Sequence, residues 1–438
     1  QVLKNSPFPQ RAGYVIIVSS FGKLRQTGSA RPQQKAGINL KQYDALIVGA
    51  GYAGAVTARR LAEDGGKKVL VLERRDHVAG NAYDTPDEED IIIHVYGPHI
   101  FHTNDKRVYD YLSRFTQWRP YEHTVVADLP DGKGGRLQYP VPFNLDSLEA
   151  AFGPQEGKRL GEKLIAAYGA EKKVTILELR QNPDPEIAAI ADYVYEHVFV
   201  HYTMKQWGQT PEEIDPNTTA RVPVFLSRDP RYFQDAYQGM PLEGYTPMFE
   251  RLLDHPNITV ELGVDALKRL ELADGVIKLV GEPFDGPVIY TGQADELFGF
   301  RFGPLPYRTL DFKFEIHGRM DGDNETEYFY QSHGTVNYTV DEDFTRITEF
   351  KHLTGQETHG ETAIMKEYSK AYTGADGEIP YYAIINPENN ALYTKYAELA
   401  AQYPNLRLLG RLAEYKYYNM DAIAARALAL TDELLSHV

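Results

Sequence analysis

Ala45-Leu46-Ile47-Val48-Gly49-Ala50-Gly51-Tyr52-Ala53-Gly54 is followed, one helix length later, by Lys68-Val69-Leu70-Val71-Leu72-Glu73. Together they read as strand, glycine-rich turn, helix, strand, acid. Gly49 permits the tight turn after the first strand. Gly51 lets backbone approach a pyrophosphate, and Gly54 lets the helix pack closely on the sheet. Amides at the helix start face the phosphate charge. Glu73 ends the second strand, where a carboxylate binds the ribose hydroxyls of an adenosine. A tight strand–helix turn with no ligand is the alternative. The strand, the helix and the terminal acid agree on a dinucleotide site.

The chain has 438 residues, room for two or three domains, and 42% apolar content is ample for a core. A formal charge of −16 argues against non-specific nucleic-acid binding. With no cysteine, disulfides, thiolate catalysis, iron–sulfur clusters and cysteine zinc sites are excluded. The same absence fits a reducing cytoplasm, the compartment expected here. No apolar run approaches membrane-spanning length. Residues 1–42 hold seven basic residues and no acid, which leaves −23 on the rest. This Gln-, Ser-, Gly- and Pro-rich extension reads as a disordered basic tail, in which Tyr14-Val15-Ile16-Ile17-Val18 is too short for a signal segment.

Beyond the nucleotide-binding unit, Ile91-Ile92-Ile93 reads as a strand, and Asp131-Gly132-Lys133-Gly134-Gly135 as a hairpin loop. From Leu145 to Thr203 the pattern is helical, with Asp184-Pro185 as a helix start. Val288-Ile289-Tyr290, Phe312 to Ile316, Val336 to Val340 and Arg346 to Phe350 suggest a mostly antiparallel sheet. Asn389 to Tyr403 is helical, Leu406 to Arg411 a buried strand, and Met420 to Leu435 a closing helix.

Tyr96-Gly97-Pro98-His99-Ile100-Phe101-His102-Thr103 and Gly410-Arg411-Leu412-Ala413-Glu414-Tyr415-Lys416-Tyr417-Tyr418-Asn419-Met420-Asp421 are unusual runs. With the glycine-rich turn, Gly80-Asn81 and Pro380-Tyr381-Tyr382, they resemble bacterial UDP-galactopyranose mutases from about Tyr43 onward. The resemblance implies an α/β flavoprotein: a discontinuous Rossmann-like FAD-binding domain (43–110, 241–300, 400–438) with a helical insertion (141–230) and an antiparallel-sheet insertion (111–140, 301–399). It implies interconversion of UDP-galactopyranose and UDP-galactofuranose through a covalent adduct between sugar and N5 of reduced FAD, with no net redox change. A cellular reductant of NAD(P)H or flavin type and a homo-oligomer are also implied, with no nucleic-acid or membrane partner.

Carried onto this sequence, cofactor contacts fall at Gly49, Gly51, Tyr52, Ala53, Gly54, Glu73, Arg74, Gly80, Asn81, His99, Ile100, Gly410, Arg411 and Met420. Arg221, on a mobile lid, and Arg346, on the sheet facing the flavin, would stabilise the departing diphosphate, since planar guanidinium groups bind phosphate oxygens bidentately. Tyr202, Trp207, Tyr232 and Phe233 match the uridine pocket, Tyr382 and Tyr417 the diphosphate contacts, and Asn337 the sugar side. In a chain with 31 tyrosines these aromatics also fit ordinary core packing. Asn419 departs from the family pattern, which often has Asp there. His99 and His102, at i, i+3, admit a metal pair or a structural pair; the family places His99 against the isoalloxazine. No metal is expected, because no further ligand cluster is evident. The rival readings are an amine-oxidase-type flavoprotein, a nicotinamide-dependent dehydrogenase and a non-catalytic nucleotide-sugar binder. The absence of a second complete GxGxxG and the C-terminal return strand favour FAD.

Overall fold

The computed structural model describes residues 13–18, 42–208, 210, 223–319, 327–358 and 360–436. A five-stranded sheet runs in the order Ile258–Glu261, Val69–Leu72, Ala45–Val48, Val288–Tyr290, Leu406–Leu408. Every pairing in it is parallel. Val69–Leu72 is buried at every position, as a strand covered on both faces must be. The helices Tyr52–Glu63, Tyr245–Leu253 and Met420–Ser436 bury apolar residues in the core on one side of it. Val288–Tyr290 therefore differs from its expected place in the antiparallel sheet. Its three residues are all buried between two parallel neighbours, which a short apolar run without polar alternation permits.

A second sheet contains, in order, Gly13–Val18, Tyr307–Arg319, Glu361–Ala371, Arg346–Glu349, Thr335–Tyr338, Val125–Pro130 and Arg136–Val141. Tyr382–Ala383 pairs beside the start of Tyr307–Arg319. The pairings are antiparallel except that between Thr335–Tyr338 and Val125–Pro130. Asp131 shapes the hairpin turn, its Oδ1 accepting from the amides of Lys133 and Gly135 at 2.7 Å each. The strand Gly13–Val18 lies within the stretch expected to be a disordered tail. Val15, Ile16, Ile17 and Val18 are β-branched and favour the extended chain that an open sheet edge accepts. The rest of the expected tail, up to residue 41, lies outside the described residues.

Between residues 145 and 207 the chain is helical, save the short strand Lys173–Val174, around its own core. Asn144 and Ser147 form a capping box at the start of Leu145–Phe152. Asp184 caps Pro185–Val194, accepting the Glu186 amide at 2.9 Å. A π-helical turn, Tyr195–Phe199, then re-aims the chain into Val200–Trp207. No helix among the described residues is long and apolar enough to cross a membrane.

Candidate active site

The glycine-rich turn builds a cradle from backbone alone. Gly49 has φ +105°, and a Cβ there would sit 2.1 Å from Thr291 Oγ1. A Cβ on Gly54 would stand 1.9 Å from the Gly49 carbonyl oxygen, so the helix rests directly on the turn. Gly80, with φ +57°, presses on Gly51 so closely that a Cβ on it would lie 2.9 Å from the Gly51 Cα. Helix Tyr52–Glu63 starts without a side-chain cap, which leaves its first amides to be satisfied from the cleft. Glu73 Oε2 accepts from the Ala50 amide at 2.8 Å, and its Oε1 from the Arg75 amide at 2.9 Å. Each oxygen keeps a second lone pair for a ribose hydroxyl. A dinucleotide fits this cradle.

Gly49, Gly51, Tyr52, Ala53, Glu73, Arg74, Gly80, Asn81, His99, Gly410, Arg411, Asn419 and Met420 line one continuous cleft. Two of the residues expected to contact a cofactor do not line it. Ile100 is buried in the core, and Gly54 serves the packing of helix on turn. Arg74 lies on the wall, half its side chain in solvent, paired with Glu296 at 3.1 Å.

A cross-strand row runs over the large sheet. Ala127, Asn337, Arg346, Glu367 and Phe312 stand opposite one another on successive strands and so share a face. Arg346 donates from Nε and Nη2 to Glu367 Oε2, at 3.0 and 2.8 Å. Asn337 is buried, and its Oδ1 has no hydrogen-bond partner among the described residues. The phenols of Tyr202 and Tyr382 both feel the Arg346 charge, although burial is the larger influence and raises both pKa values. Tyr202 also feels the Tyr232 phenol.

From that row an aromatic chain returns to the cleft. The Trp207 and Tyr382 rings are 5.7 Å apart, and Tyr382 and Tyr417 stack at 6.1 Å. Arg411 lies over both tyrosines, 5.7 Å from Tyr382 and 4.8 Å from Tyr417. Tyr232 contacts Phe233 edge-on at 4.9 Å, and Phe233 stacks on His102 at 3.5 Å.

His99 and His102 face different partners. His102 Nδ1 is 2.6 Å from Asp235 Oδ2. His99 Nδ1 lies 2.7 Å from the Gly97 carbonyl oxygen, which assigns the ring proton to Nδ1 and leaves Nε2 as acceptor. Burial, then the Arg411 and Arg346 charges, lower the His99 pKa to about 4, against the pull of the Gly97 carbonyl. Among the described residues no three His, Asp or Glu side chains converge as a metal site. Arg221 lies outside the described residues.

A family model for UDP-galactopyranose mutase matches residues 197–417, and one for a Rossmann-like NAD(P)-binding domain matches 47–115. A probable UDP-galactopyranose mutase from Klebsiella pneumoniae is 37% identical over 398 residues, covering 90% of this chain and 95% of that protein. This chain belongs to the UDP-galactopyranose mutase family. A dTDP-fucopyranose mutase from Escherichia coli is 36% identical, over 87% of this chain and 96% of its own length. A crystal structure of reduced UDP-galactopyranose mutase shares the fold, with a TM-score of 0.65 at 17% identity, over 90% of this chain and 94% of that one.

In this member of the UDP-galactopyranose mutase family, three supporting residues stand outside the recognised motifs. Glu367 was one acid among 62 until strand register set it opposite Arg346. Arg308 is buried; its Nη2 donates to Ser369 Oγ and the Lys205 carbonyl, and its Nε to the Gln206 carbonyl, which fixes the helix end that carries Trp207. His94 is buried and its Nδ1 accepts the His99 amide at 3.0 Å. The His94-x4-His99 spacing was the one visible signal.

Proposed function

We propose that the protein is an FAD-dependent mutase that interconverts UDP-galactopyranose and UDP-galactofuranose. The observation that carries this reading is the row Asn337–Arg346–Glu367, joined through Tyr382, Tyr417 and Arg411 to a dinucleotide cleft. It sets a half-buried guanidinium and an unpartnered amide oxygen beside a cofactor site. That suits a substrate with both a diphosphate and a hydroxylated sugar.

Reduced FAD, when bound, would supply N5 as the nucleophile toward the anomeric carbon, which is covalent catalysis with no net redox change. The protein's own groups do the rest. Arg346 stabilises negative charge as UDP departs, held in aim by Glu367. Arg221 has the same role in this reading. Tyr382 and Tyr417 donate hydroxyl hydrogens to phosphate oxygens without adding charge. Trp207, Tyr202, Tyr232 and Phe233 offer flat faces to uracil. Asn337 Oδ1 accepts from a sugar hydroxyl, which satisfies an otherwise costly buried acceptor. His99 keeps a neutral Nε2 toward the cofactor. Asn419 hydrogen-bonds at the cleft without the charge an aspartate would bring against a diphosphate.

The test is anaerobic. Yellow purified protein is incubated with UDP-galactofuranose, once oxidised and once chemically reduced, and the nucleotide sugars are separated by chromatography. Conversion to UDP-galactopyranose only after reduction supports the reading. No conversion in either sample, with flavin bound, rejects it. The Escherichia coli relative supports a second arm with dTDP-fucofuranose, where faster turnover would move the substrate assignment to a 6-deoxy sugar.

A further inference from the structure

The run Tyr14-Val15-Ile16-Ile17-Val18 plays no part in the site, and it precedes both family matches, at 47–115 and 197–417. It is nevertheless built into the sheet. Gly13–Val18 pairs antiparallel with Phe314–Arg319, from Gly13 opposite Arg319 to Val18 opposite Phe314. Glu361–Ala371 takes the other side of that strand, and Tyr382–Ala383 pairs with Tyr307 and Arg308. Without Gly13–Val18, the outward backbone groups of Phe314–Arg319 would form an open edge, a ready template for another chain.

The uncovered part of the same edge has its own protection. Asp311 and Lys313 are charged and stand on that stretch, and such charges discourage strand addition. The covered part carries Glu315 and, at its end, Arg319. Its carboxylate, Glu315, is tied to His317 at 2.9 Å and to Lys366 at 2.7 Å, and Phe314 and Ile316 are buried. Charge also favours docking of the extension on this body, because residues 1–42 carry seven basic groups and no acid against −23 on the remainder.

We infer that Gly13–Val18 is a built-in edge cover that closes Phe314–Arg319 to a strand from a second copy of this chain. Adjacent residues of an antiparallel strand point their amides to opposite sides. The double variant Val15→Pro, Ile16→Pro therefore removes a ladder donor whichever of the two faces the edge. In the full chain, amide exchange across Phe314–Arg319 should speed up at least ~10-fold. The mass from light scattering should rise with concentration above that of the unsubstituted protein. A synthetic peptide of residues 12–20 should reverse both. Unchanged exchange or unchanged mass overturns the inference. Protection at Val69–Leu72 reports whether the variant folds; if it is lost there, the two single proline variants replace the double, and just one of them should show both effects.

Discussion

Arg346 spends its Nε and Nη2 hydrogens on a single oxygen, Oε2 of Glu367, at 3.0 and 2.8 Å, and Glu367 is completely buried. Two of the five N–H groups of the guanidinium are committed to that pair. The remaining three stand outside it. The carboxylate thus aims the cation while leaving its other three donors outside the pair.

Under the proposed function, Arg346→Ala should lower turnover at least ~100-fold, because it would remove a preorganised donor at the departing diphosphate. Arg221→Ala should do the same under the proposed function. Steady-state rates with reduced enzyme check both, and near-wild-type values would remove either residue from the mechanism. Glu367→Gln should act differently. It leaves Arg346 charged without its counterion, at a cost of about 3 kcal/mol in stability, toward the low end for broken buried pairs since the Arg346 side chain keeps 23% exposure. Urea unfolding measures that cost.

Gly80→Ala tests the cradle. The new Cβ would lie 2.9 Å from the Gly51 Cα at a φ of +57°. Purified protein should carry at least ~10-fold less flavin, read from absorbance near 450 nm against protein. Gly66→Ala is the control. Gly66 has a similar φ of +61° with nothing within 4 Å, so it imposes backbone strain without crowding. It should cost roughly 1 kcal/mol of stability and retain full flavin. Equal flavin loss in the two variants would show strain, not closure of the cradle, as the cause.

The cradle was legible in sequence because its geometry is local. Gly49, Gly51 and Gly54 act within six residues, and Glu73 is set by one helix length. The row on the large sheet was not. Asn337, Arg346 and Glu367 meet only through strand register, and register depends on how distant strands align. Resemblance supplied Asn337 and Arg346, but Glu367 had no motif of its own. Val288–Tyr290 was misplaced for a related reason: three buried apolar residues carry no alternation to show which sheet they join. The strand at Gly13–Val18 was hidden by the composition around it, which reads as disorder when averaged over 42 residues.

Trp207→Ala should weaken UMP binding ~10–100-fold, the loss expected from one base-stacking face. Trp207 is half-buried, 5.7 Å from the Tyr382 ring, on a helix end held by Arg308. Titration calorimetry on oxidised protein measures this without turnover. Unchanged affinity would return Trp207 to a packing role.

Three histidines, His94 and His123 buried and His99 half-buried at the cleft, contribute to the response to acid. Burial is the main cause of each depression: His94 falls to about 3, His99 to about 4 and His123 to about 3. The nearby Arg346 charge adds to the depression of His99 and His123. A free imidazole titrates near ~6.5. Between that value and about 4 the unfolded chain binds protons that the folded chain refuses. Stability from these groups is therefore complete above ~6.5 and is lost as pH falls toward 4. At pH 5 each histidine should remove about 2 kcal/mol. Urea midpoints should drop from pH 7 to 5, offset in part by Asp84 and Asp87, whose burial raises both carboxyls to about 6, and His123→Phe should shrink that drop. A pH response equal in wild type and variant would mean that other groups govern acid unfolding.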